Sequence, residues 1–144
     1  MAKYTYKDIV DALKFAGFEE EKNNGGSHQK YINAKTGICV PVPRHSNGEV
    51  APGTAEAILD VAILCARICN KNIGSYYSNL SKDVVQYIRK QHQKINEDFT
   101  QIVPPLVRKQ NGLETKEDVV KFVQDKVKSA RKQYNKKHSN ERCL

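Results

Sequence analysis

No run of apolar residues in this chain approaches the ~20 needed to cross a bilayer, which excludes a membrane-spanning helix. The opening residues, Met1-Ala2-Lys3-Tyr4-Thr5-Tyr6-Lys7-Asp8, lack the apolar core of a secretory signal, so a cytoplasmic protein is expected. Cysteine is sparse: Cys39, Cys65, Cys69 and Cys143 read as small hydrophobes or inert thiols of a reducing compartment rather than as disulfides. Metal-ligand spacing is missing as well. Cys65 and Cys69 stand four apart and offer half a zinc site on one helix face, but only the distant His92 and His138 are loose candidates for the rest. No metal and no other cofactor is therefore expected. There is no internal repeat and no low-complexity tract, so repeat architectures are excluded.

What is present is an ordinary globular balance, 39% hydrophobic and 28% charged over 144 residues, enough for one compact domain or two small ones. The net charge of +8 is unevenly placed. Residues 1–72 hold 9 Lys and Arg against 8 Asp and Glu, whereas residues 73–144 hold 15 against 8. Such asymmetry suggests a surface for nucleic acid or another polyanion in the second half; a solvated lysine-rich helical face is the alternative.

Ile9, Val10, Leu13, Phe15, Ala16 and Phe18 recur at helical spacing from about Thr5 to Ala16, and Gly17 supplies a left-handed cap. Residues 18–23 and 27–33 read as strands around the turn Asn24-Gly25-Gly26. After the turn Ala34 to Gly37, Ile38 to Arg44 form a third strand. Pro41 and Pro43 share parity, so their missing N–H groups fall on one side, and the strand must be an edge with Val40 and Val42 bonding inward. A helix then follows Pro52-Gly53-Thr54, with Thr54 read as its N-cap and an apolar series from Ile58 to Ile68.

This order, helix, three antiparallel strands, helix, is that of a double-stranded-RNA-binding type of α+β domain over residues 1–72. Residues 73–81 read as a connector. Helices at about 82–103, with Ser81 as cap and a stripe from Val84 to Val103, and at about 116–137, with a Thr115–Asp118 capping box, would form an α-helical hairpin within residues 82–144. Pro104-Pro105 ends the first, and Leu106 and Val107 anchor a turn to Gly112. One narrow apolar stripe per helix requires burial against the first domain or against a second copy, which would make a homodimer.

The segment Gly25-Gly26-Ser27-His28-Gln29-Lys30-Tyr31 is the most informative. If Ala34 to Gly37 form the turn, Tyr31 faces Val40 and His28 faces Pro43. His28, Lys30 and Ile32 then share the open face of the sheet, while Tyr31, Val40 and Val42 lie under the helices. A histidine titrates near neutrality and can move a proton during attack of a ribose 2′-hydroxyl on its own phosphate. Lys30, Arg44 or a backbone N–H near Gly26 and Ser27 could stabilise the resulting charge. A lone histidine on a strand is more often a surface residue. His45, at the end of the third strand, is a loop residue or a second catalytic group.

The succession Tyr6-Lys7-Asp8-Ile9-Val10-Asp11-Ala12-Leu13, Ala16-Gly17-Phe18, Gly26-Ser27-His28, Val42-Pro43-Arg44-His45, then Ala51-Pro52-Gly53-Thr54 with Ile58-Leu59 resembles the HicA family of toxin ribonucleases, over residues 3 to about 65. The resemblance implies metal-independent cleavage of mRNA, inhibition by a HicB-type antitoxin, and a catalytic histidine that falls on His28. The chain departs from the pattern in its nearly neutral first domain and in the segment that follows it. Two other readings stay open: a non-catalytic RNA-binding module, and a protein-interaction element acting through the C-terminal helices. Against duplex binding, the start of the second helix reads Thr54-Ala55-Glu56-Ala57-Ile58, without the lysine cluster that meets phosphates across a groove.

Overall fold

The computed structural model describes residues 3–21, 28–43, 48–69, 80–98 and 103–142. The protein is α+β. A short ribbon pairs β1 (Tyr4–Thr5) with β5 (Glu49–Val50), and a three-stranded antiparallel sheet comprises β2 (Phe18–Glu20), β3 (His28–Asn33) and β4 (Cys39–Pro43) in the order β2-β3-β4. The helices are α1 (Tyr6–Phe15), α2 (Pro52–Ile68), α3 (Lys82–Asp98), α4 (Pro105–Gln110) and α5 (Lys116–Arg142).

Each local choice has a readable cause. Thr5 caps α1 by accepting a hydrogen bond from the Asp8 amide at 3.1 Å, and Gly17, at φ 93°, turns the chain into β2. The β3–β4 turn is organised by Asn33, which is almost fully buried. Its Oδ1 accepts from the amides of Lys35 and Thr36, both at 3.0 Å, and its Nδ2 donates to the Ala16 carbonyl at 2.8 Å. Thr36 in turn accepts from the Ile38 amide, and Gly37 takes the positive φ of 74° that closes the turn. The register is that expected from the turn at Ala34 to Gly37: Tyr31 opposes Val40, Lys30 opposes Pro41 and His28 opposes Pro43. Among the described residues β4 pairs with β3 alone, which leaves both prolines on an edge.

Three features depart from the expectations. α2 starts at Pro52 with Ala51 as its cap residue and no side-chain cap, so Thr54 lies inside the first turn; the fixed φ of proline suits the first helical position and begins the helix three residues early. The Leu106–Val107 segment is a short helix, α4, rather than a turn. The β1–β5 ribbon was not expected, because two-residue strands carry no readable period.

Tyr31, Val40 and Val42 meet α1 and α2 on one face of the sheet, with Leu13, Phe18 and Leu59 completing the core. α2 is the centre of the molecule. Its buried residues include Ala55, Ile58, Leu59, Val61, Ala62, Ile63, Leu64, Cys65, Ala66 and Ile68, which occupy every side of the helix. A helix apolar all round must be covered all round. α1 and the sheet cover one side; α3 and α5 both pack on α2 and cover the rest. Val84 and Ile88 of α3 and Val119, Val123 and Ala130 of α5 are buried in the same core. Among the described residues, these parts of the extension's apolar stripes thus find cover inside this chain.

Polar contacts fix the seam between α2 and α3. Asp60 accepts from the Tyr87 hydroxyl and from Gln91 Nε2, each at 2.6 Å, and Gln91 Nε2 also donates to the Tyr87 oxygen at 3.0 Å. Burial, reinforced by the Asp60 carboxylate, raises the Tyr87 hydroxyl far above the ordinary phenol range, so it stays protonated and donates. Tyr4 donates to Glu56 at 3.0 Å, and burial together with that carboxylate pushes its pKa up to about 12. At the start of α5 the Thr115–Asp118 box is reciprocal: each side chain accepts from the other residue's amide at 3.1 Å. The amides of Thr115 and Glu114, which both donate to the Asp118 carboxylate, hold it below its usual range. No helix among the described residues is long and apolar enough to cross a membrane.

Candidate active site

β3 is the middle strand of its sheet: Lys30 to Asn33 have neighbours on both sides, in β2 and β4, whereas among the described residues His28 is paired with β4 alone. His28 is the first residue of β3 and forms the last rung of the β3–β4 ladder with Pro43. It shares strand parity with Lys30 and Ile32, both exposed. The opposite parity is carried by Tyr31, buried among the helices, whose hydroxyl is hydrogen-bonded to that of Tyr6 at 2.9 Å. The two faces therefore divide as the alternation demands: Tyr31, Val40 and Val42 under the helices, and Lys30, Ile32, Pro41 and Pro43 on the other side. Gly26, Ser27, Arg44 and His45, singled out in the sequence, lie outside the described residues.

Sequence reasoning did not single out the acids on this open face. Glu19 opposes Ile32, and the Glu21 amide donates to the Lys30 carbonyl at 2.8 Å. Directly opposed residues share a face, so two carboxylates flank the β2 side of Lys30. Cys39, opposite Ile32, reports the same field: burial raises its thiol pKa first, Glu21 raises it further, and Lys30 opposes them. The signal was available in the alternation of Glu19 and Glu21 across the first strand, once its register with β3 is known.

Beside β4 the helical extension reaches the sheet. Gln110 Nε2, at the end of α4, donates to the Cys39 carbonyl at 3.1 Å. On α5, Lys126 Nζ lies 3.9 Å from where a Cβ on Gly37 would stand, and the same ammonium lies 5.4 Å from the centre of the Phe122 ring. Cys65 is buried under the β3–β4 turn, its sulfur 3.6 Å from Thr36 Oγ1, and burial pushes its pKa up to about 12. A thiol held neutral in that way is neither a nucleophile nor a ready ligand. No cluster of three or more His, Cys, Asp or Glu with metal-binding geometry occurs among the described residues.

Residues 6–63 match the family described as "HicA toxin of bacterial toxin-antitoxin". The matched segment runs from the start of α1 through the sheet to Ile63 of α2, and α3, α4 and α5 lie outside it. Residues 6–63 are thus similar to HicA toxins, in agreement with the succession of motifs read from the sequence. No curated protein matches the chain, and no solved structure does.

Proposed function

We propose that the chain is the toxin of a toxin-antitoxin pair and acts as an endoribonuclease on mRNA in the cytoplasm, with His28 moving the proton and with no metal in the reaction. The observation that carries this reading is the position of His28 at the head of the central strand, in the same alternation class as exposed Lys30. The family match over residues 6–63 supports the toxin assignment and a HicB-type antitoxin as partner.

In the proposed reaction a 2′-hydroxyl loses its proton to a base, and the 2′-oxygen attacks the adjacent phosphorus. The bond to the 5′-oxygen breaks, and that oxygen leaves with a proton supplied by an acid. The products are a 2′,3′-cyclic phosphate and a 5′-hydroxyl. A neutral-range imidazole at position 28 serves as the general acid or base, worth ~10²–10⁴-fold in rate. Lys30, Arg44 and the backbone amides of Gly26 and Ser27 neutralise the charge that builds on the phosphorane. Residues 1–72 carry this chemistry, residues 73–81 connect, and residues 82–144 add affinity.

The test is the chemistry of the cut ends. Cleavage should leave a cyclic phosphate, and an oligonucleotide with 2′-deoxyribose at the cut position should resist. Lys30→Ala should keep its circular dichroism spectrum and cleave more slowly. Cleavage of the 2′-deoxy substrate would refute attack by the 2′-oxygen.

A further inference from the structure

Three lysines from separate parts of the chain stand on the elements around the β3–β4 turn, at the end of the sheet remote from His28. Lys35 is exposed in the β3–β4 turn, on a backbone fixed by the Asn33 hydrogen bonds. Lys126 of α5 reaches the same turn beside Gly37. Lys109 is exposed on α4 next to Gln110, whose side chain is bonded to the Cys39 carbonyl at the start of β4. Between this group and His28 runs the open face of β3, with Lys30 midway and half-exposed Pro41 opposite it. From the His28–Pro43 pair to the Ile32–Cys39 pair is four residues, about 13 Å at the strand rise. A single nucleic-acid strand covers that length in a few nucleotides.

The charges also give the surface a direction. Glu19 and Glu21 line the β2 side of the face, where they repel a phosphate chain. The β4 side, with α4 and the turn, presents Lys109, Lys35 and Lys126. A polyanion crossing His28 is steered away from β2 and toward the helical extension.

We propose that Lys30, Lys35, Lys109 and Lys126 form a track for single-stranded RNA, and that the extension supplies half of the substrate site instead of serving only as packing. The proposal rests on the ribonuclease reading for its start at His28. It extends that reading to residues outside the matched segment, since Lys109 and Lys126 lie beyond residue 63. The occupant is single-stranded RNA because the face is lined by spaced cations along one strand length, and the helix start that would meet a duplex carries Glu56 and no lysine.

The experiment uses the full chain and a single-stranded 2′-O-methyl oligonucleotide, which has no nucleophile and cannot be cut by the proposed route. Affinity is measured across a salt series for the wild type and two triple variants of equal charge change. Lys35→Gln with Lys109→Gln and Lys126→Gln removes the track. Lys82→Gln with Lys90→Gln and Lys121→Gln removes three exposed lysines of α3 and of the outward face of α5. The track variant should flatten the slope of log affinity against log salt by about 2, or ~0.7 per lost phosphate contact. Between 50 and 200 mM salt the wild type should accordingly lose about 15-fold more affinity than the track variant. The control variant should change the slope by less than half as much, and a Lys→Arg triple at the track positions should restore it. Equal slopes for the two Gln variants, or a track variant that binds as the wild type does, would overturn the track while leaving the ribonuclease reading standing. Failure of the wild type to bind the probe would overturn both.

Discussion

Ile88 is fully buried on α3, in the core it shares with α2. Truncation to alanine removes about three methylene equivalents, worth ~2.4 kcal/mol in transfer free energy. The cavity left behind adds to this and brings the expected cost to about 3 kcal/mol, within the range measured for such truncations. Domains of this size have a stability of only ~5–15 kcal/mol. Because α2 is buried on every side, the loss should fall on the whole chain and not on α3 alone. With a urea slope of ~2 kcal/mol/M, the midpoint should drop by about 1.5 M. The assay is urea unfolding by far-UV circular dichroism, with amide exchange read at Val40 and Val42 of β4. Those amides should lose protection in step with the global transition. If β4 keeps wild-type protection while only α3 and α5 open, the extension folds separately and the argument from α2 fails.

Val40 is fully buried opposite Tyr31, so Val40→Asp should unfold the chain, a cost of several kcal/mol for an unpaired buried charge; a folded variant by circular dichroism would reverse the assignment of the sheet faces. Cys65 predicts an alkaline weakness. Its folded pKa, about 12, exceeds the ordinary thiol value of 9.0, so the folded state holds that proton more tightly than the unfolded state does. The stability this gives is complete below pH 9 and is lost as pH rises toward 12, at up to about 1.4 kcal/mol per pH unit. Cys65→Ala should lower stability at pH 7 but lose less on going to pH 10, measured as urea midpoints. An identical pH dependence in the two proteins would show that burial does not hold the thiol neutral.

Much of this architecture is legible in the sequence because strong local rules act there. Proline parity at Pro41 and Pro43 fixes the edge, and the turn from Ala34 to Gly37 fixes the register and through it the partners of His28 and Tyr31. Helical periodicity gives α1, α2, α3 and α5, and the Thr115–Asp118 box marks the start of α5. Features set by tertiary contact are harder to read. Tyr4–Thr5 and Glu49–Val50 pair only because the chain brings them together, and Pro105 to Gln110 is too short for any period. The all-round apolar character of α2 announces that something must cover it, but not that α3 and α5 both do so. Gln91, polar on an otherwise apolar stripe, becomes intelligible only with Asp60 and Tyr87 beside it. At the site, the alternation of His28 and Lys30 is readable from one strand, whereas the carboxylates of Glu19 and Glu21 join them only through cross-strand register.

The most direct test of the ribonuclease reading compares wild-type protein with His28→Ala on single-stranded RNA in the presence of EDTA. The wild type should cleave undiminished by the chelator, because the proposed reaction needs only a proton carrier and fixed cations. His28→Ala should retain its fold and melting temperature and lose at least ~10²-fold in rate. Cleavage abolished by EDTA would contradict the metal-free mechanism, and a His28→Ala protein as fast as the wild type would contradict the site.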